Sequence, residues 1–192
     1  MKNTLSNAEK LTSRFCVIPK LLLFLAVLSS CNSRLSYFTQ DLYDRNRWSE
    51  SELKKIQFYL SDDVYLRRKL GENSSEIVEG KVRMVNGQKV EEIYIPRSTP
   101  GVFMFSPKAN RFAVAFENGS ESRFLMFGPS PKAGERYVLL AKDWERSTGT
   151  VTYDGKEYDV NFGAAFAGLM VDLRRIDRQD RNSRTVEGRR ID

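Results

Sequence analysis

The sequence predicts an all-β domain: an antiparallel meander of about ten strands forming a small barrel or sandwich, with a short helix on its N-terminal side. Two observations carry that reading. The dipeptides Asn86-Gly87, Asn118-Gly119 and Asp154-Gly155 each separate two runs rich in β-branched and aromatic residues. Such pairs supply the positive φ angles that tight hairpin turns require. The runs themselves are short, about five to seven residues, and recur at the spacing of a sandwich or barrel. No internal repeat of fixed period competes with this reading.

Residues 31–48 hold Tyr37, Phe38, Leu42, Tyr43 and Trp48. That is too aromatic for a flexible linker, which favours Gly, Ser or Pro, so the segment is expected to pack on the domain or on a partner, with Thr39 capping a helical turn. Ser49 and Glu52 form a capping box for the short helix, whose inner face is Leu53 and Ile56. Strands are expected at 56–60 and 64–70 around Ser61-Asp62-Asp63. The first could instead extend the helix, because Leu53, Ile56 and Leu60 also share a helical face. Further strands are expected at 76–85 and 89–95, 102–105 after a type II turn at Pro100-Gly101, 111–117 and 123–127, 136–141, 150–153 and 157–162, and 168–173. The stretch 163–168 is small apart from Phe166, which suggests close backbone approach or a bulge.

Registers follow from the loops. A two-residue turn at 154–155 sets Val151 opposite Tyr158, a β-branched–aromatic pair. The same turn at 118–119 would set Val114 opposite Arg123. One extra loop residue would instead set Val114 opposite Phe124 and Phe112 opposite Met126, so a longer, bulged turn is expected there.

Composition removes much catalytic chemistry. Histidine is absent, and the two cysteines are Cys16 and Cys31. Without histidine, Ser-His-Asp and Cys-His catalysis and the usual zinc sites are excluded. The net charge of +6 falls to +3 without residues 1–30, which hold four basic residues and one acid; that is too weak an excess to point to nucleic acid. Ser51-x-x-Lys54 resembles the serine–lysine spacing of penicillin-binding enzymes. Their Lys-Thr-Gly element is missing, since only Ser147-Thr148-Gly149 occurs, so chance helix composition explains the pair. Among Asp62, Asp63, Glu91, Glu92, Asp143 and Glu145 no spacing singles out a glycosidase pair. Asp41, Asp44, Asp62 and Asp63 lack EF-hand spacing. The chain is expected to be non-enzymatic, with no cofactor and no metal.

Binding chemistry is the stronger expectation. Arg174, Arg175, Arg178 and Arg181 would make a face for phosphate or carboxylate. Asp172, Asp177 and Asp180 lie among them, however, and self-neutralised, solvated charge is the simpler reading. Trp144 sits in the polar run 142–146 and either caps the fold or makes a contact. Tyr137 reads as core.

The N-terminal stretch says where the chain works. Lys2, Lys10, Arg14 and Lys20 precede an apolar run at 21–28. A spanning helix needs about 20 residues, so this is the core of an export signal. Leu28-Ser29-Ser30-Cys31 resembles the lipobox of bacterial lipoproteins. The resemblance implies cleavage between Ser30 and Cys31, a diacylglycerol thioether on the Cys31 sulfur, and a membrane attachment made stable by more than one chain. Asn32 follows, with no aspartate to retain the protein at the inner membrane; the outer membrane, facing the periplasm, is the expected address, with the cell surface as the alternative. The expected organisation is a signal at 1–30, an anchor-proximal aromatic segment at 31–48, a β domain at 49–176 and a charged tail at 177–192. Within that tail, Thr185 and Val186 could add an edge strand. The expected function is an anchored, non-enzymatic accessory or scaffold subunit with an envelope protein partner. The alternative is a glycan- or peptidoglycan-binding module, with weak hydrolase activity at most. A third reading, a lipid-handling barrel, requires an apolar cavity.

Overall fold

The computed structural model describes residues 35–71, 80–144 and 148–181, without the side chains of 178–181. The lipobox with Ser30 and Cys31, and the Thr185–Val186 pair, lie outside the described residues.

The chain enters through β1 (Leu35–Tyr37) and two short helices. Helix α1 (Gln40–Asn46) begins where Thr39 accepts a hydrogen bond from the Leu42 N–H. Helix α2 (Glu50–Leu53) carries the capping box: Ser49 Oγ accepts from the Glu52 N–H, and Glu52 Oε2 accepts from the Ser49 N–H at 2.8 Å. The chain then goes extended, so the strand reading of this stretch holds and the helical one does not. There follow β2 (Gln57–Leu60), β3 (Val64–Lys69), β4 (Lys81–Val85), β5 (Gln88–Ile95), β6 (Pro100–Lys108) and β7 (Arg111–Ala115). The remaining strands are β8 (Leu125–Ser130), β9 (Arg136–Leu139), β10 (Thr148–Tyr153), β11 (Lys156–Asn161) and β12 (Leu169–Asp172); α3 (Leu173–Arg181) ends the described chain.

These strands form two antiparallel sheets. One has the order β1-β12-β2-β6-β7-β8-β9, the other β10-β11-β3-β5-β4. The all-β expectation is met as a sandwich-like pair of sheets, not a closed barrel. The last strand of the seven-stranded sheet also bonds the segments next to β1 and β12: Tyr137 N–H donates to Phe38 C=O at 3.0 Å, and Leu139 N–H to Ala167 C=O at 2.9 Å. These bonds satisfy backbone groups of β9 that an open edge would leave exposed.

The anchor-proximal aromatics pack on the domain. Phe38 is fully buried and meets Phe58, Phe112 and Tyr137 with ring centroids 5.3, 5.7 and 5.0 Å away. Trp48 stacks on it from the loop between the helices, at 5.9 Å. Such tilted and edge-on rings are favoured by the aromatic quadrupole. Tyr137 is core, as its sequence context suggests.

Val151 lies opposite Tyr158, as the two-residue turn requires. Three expectations are corrected. The β7–β8 hairpin pairs Phe112 with Phe127 and Val114 with Leu125, one residue beyond the expected register. All four of these side chains turn inward and are buried, whereas the expected register would have set inward Phe112 against half-buried Met126. Pro100-Gly101 opens β6 rather than forming a turn, pairing with Tyr59 and Phe58. A Cβ on Gly101 would stand 2.7 Å from the Phe116 ring, so the glycine is there for close approach. Lastly, 173–181 is helical: Asp172 Oδ1 accepts from the Arg174 N–H, and Ile176 is buried against the core.

Candidate functional site

The segment 140–144 crosses from one sheet to the other and builds the most distinctive surface of the domain. Lys142 exchanges two backbone hydrogen bonds with Thr150, of 2.7 and 3.0 Å, which fixes the crossing on β10. On one side of it lies an aromatic row. Trp144 is partly buried, with its indole against the Gly149 backbone; a Cβ there would come within 2.7 Å of the ring. The indole meets Phe162 edge-on at 6.2 Å, and Phe162 meets Phe166 at 5.7 Å. Phe162 and Phe166 belong to a short 3-10 turn, started where Asn161 Oδ1 accepts from the Ala164 N–H. Both rings are about half exposed, at 49% and 52%. One indole face is therefore already used in packing, and the exposed aromatic surface lies in the two phenylalanines.

On the other side of 140–144 is a cleft of about 350 Å³. Its floor is apolar, built from Phe124, Met126, Leu140 and Val151. Lys108, Arg111 and Lys142 stand around it, and no acid is among its lining residues. Arg111 lies across Gly128, where a Cβ would come 2.9 Å from Nη1. Lys142 reaches Glu157 at 3.5 Å, with both groups solvent-exposed. Neither Lys108 nor Arg111 has a carboxylate partner among the described residues. Pro107 and the threonines 150 and 152 complete the wall.

The other expected site residues are scattered. Arg174 and Arg175 are exposed on α3, and Arg175 pairs with Asp172 at 3.7 Å. Arg178 and Arg181 follow in the same helix, with side chains outside the description. The arginine face is thus partly self-neutralised. Ser51 and Lys54 are both exposed, and Ser51 Oγ lies 3.0 Å from Ser49 Oγ at the helix cap. Asp63 serves a turn, accepting from the Arg97 N–H and the Tyr94 hydroxyl. Among the described residues no group of three acids, histidines or cysteines is placed to hold a metal.

Two further polar clusters were not legible in the sequence. Glu91 is fully buried; one carboxylate oxygen accepts from Arg68 at 2.7 Å and the other from the Gly80 N–H at 2.9 Å. Beside it the Tyr158 hydroxyl is buried against Arg68 and Glu91 without a well-formed hydrogen bond, and burial, then the Glu91 carboxylate, pushes its pKa up. The second cluster ties the sheets together. Ser122 Oγ donates to Asp154 Oδ1, Arg123 Nε reaches Asp154 Oδ2 at 3.2 Å, and Tyr153 donates to Glu117 at 2.6 Å. The Ser122 hydroxyl, then Arg123, holds the Asp154 carboxyl below its ordinary range. Burial and the Glu117 carboxylate push Tyr153 far above its own.

Comparison with protein-family models, with curated proteins and with solved structures finds no match.

Proposed function

We propose that this chain is a lipid-anchored envelope protein acting as a non-enzymatic accessory subunit of a membrane-associated assembly. The observation that carries the reading is the run 21–28 followed by Leu28-Ser29-Ser30-Cys31. In that role the aromatic row beside 140–144 is the surface the fold offers to a neighbouring subunit. Half-exposed Phe162 and Phe166, next to one another, would give that neighbour an apolar contact.

The test has two arms. Cys31→Ser should move the protein from the membrane fraction to the soluble fraction and abolish labelling by radioactive palmitate. Phe162→Ser with Phe166→Ser should leave membrane attachment intact and reduce the particle recovered in mild detergent to a monomer. Recovery of the unsubstituted protein as a lone monomer would overturn the subunit role while leaving the anchor standing.

A further inference from the structure

We infer that the cleft beside 140–144 binds a single-chain amphiphile with an anionic head, of the medium-chain carboxylate class. The inference stands independently of the lipid anchor. Its first support is the division of the walls. The floor of Phe124, Met126, Leu140 and Val151 offers no charge, while Lys108, Arg111 and Lys142 stand around it with no acid in the lining. A neutral apolar ligand would leave the cations unused, and a small anion would leave the floor wet. A head that accepts from guanidinium or ammonium, joined to an alkyl chain, matches both parts.

The second support is the state of the cations. Several surface arginines of this fold are taken up by carboxylates, as Arg67 and Arg83 are by Glu92, at 2.8 and 3.0 Å. Lys108 and Arg111 have none among the described residues, and Lys142 has only an exposed contact at 3.5 Å. Charge is therefore available for a ligand head at low cost in broken ion pairs. The third support is size. A volume of about 350 Å³ corresponds to about a dozen groups of the size of water, at about 30 Å³ each. That accommodates one medium chain. The cleft is a groove on the sheet face rather than an enclosed barrel interior, so the ligand would lie along β8 with its head toward Arg111.

The experiment uses the full chain in nanodiscs of zwitterionic lipid, with isotope-labelled methionine methyl groups. Decanoate is the probe. The Met126 signal should shift and saturate, while those of Met84 and Met170, which lie elsewhere on the sheets, should not. Affinity should rise about fourfold for each methylene from hexanoate to decanoate. Decanol should bind more weakly than decanoate by about tenfold or more. Lys108→Gln with Arg111→Gln, two exposed positions, should remove that preference and leave decanol binding unchanged. Equal affinity for decanoate and decanol would overturn the proposal. So would saturation by acetate at the same concentration as decanoate, or shifts at all methionines without preference for Met126.

Discussion

Glu91 and Arg68 are opposite residues on neighbouring strands, yet they lie on the inner face of their sheet. A buried ion pair is weakly stabilising as a whole, but removing one partner leaves an uncompensated charge in the interior. Glu91→Ala is therefore expected to cost about 3–5 kcal/mol, measured by urea unfolding. Tyr158→Phe has the opposite sign. Its hydroxyl is buried without a well-formed hydrogen bond, and an unsatisfied buried group costs about 1–3 kcal/mol, so the substitution should raise the midpoint of unfolding. A lowered midpoint would mean that the hydroxyl is satisfied in solution. The sequence contains Glu91-Glu92 as two adjacent acids on an alternating strand, and alternation alone turns one of them toward the other sheet, while the other, Glu92, is covered on the outer face by Arg67 and Arg83. What it does not contain is which one, because that depends on Arg68 arriving from another strand.

At the scale of elements, the hairpin turns separate what is local from what is not. Asn86-Gly87 and Asp154-Gly155 both form two-residue turns with positive φ at each position, because the dipeptide itself favours that geometry. Asn118-Gly119 does not: the longer loop expected from the poor Val114–Arg123 pairing is present between Ala115 and Leu125, and only its exact register is not legible. Its loop is held open by Ser122 and Arg123, which reach across to Asp154 in a hairpin of the other sheet. No window of sequence around residue 118 contains that partner. The same holds for Gly101, whose place in a strand is fixed by Phe116, and for the cleft, whose cations come from the β6–β7 hairpin and the distant 140–144 crossing. Ser122→Ala tests the tie. Asp154 is depressed in the folded protein, so its contribution is present above the unfolded value of about 3.9 and is lost as pH falls through the folded value. The variant should be less stable at neutral pH, and its deficit should close as the pH is lowered below about 4, followed by thermal unfolding across a pH series.

Three of the molecule's eight tyrosines are buried in its core. Tyr137, Tyr153 and Tyr158 are all held above the ordinary phenol range, chiefly by burial. A raised folded pKa means that the folded state keeps its protons longer than the unfolded chain. The associated stability is complete below the unfolded value of about 10 and disappears as pH rises toward the folded values. Alkaline unfolding should therefore be cooperative. The absorbance of these three phenolates should appear together with loss of β-sheet circular dichroism, after the exposed tyrosines have already ionised. Phenolate absorbance from all tyrosines before any loss of sheet structure would contradict this.

The register of β1 has a mechanical consequence. Leu35 pairs with Asp172, Ser36 with Val171 and Tyr37 with Met170, so tension entering from the N-terminal side loads the Leu35–Asp172 rung first. A pull directed across the strands would part these rungs one at a time and would next meet Phe38, whose ring is locked among Phe58, Phe112 and Tyr137. The domain thus has a compliant first link and a rigid stop immediately behind it. Such a load would free the three residues of β1 before it reached the core.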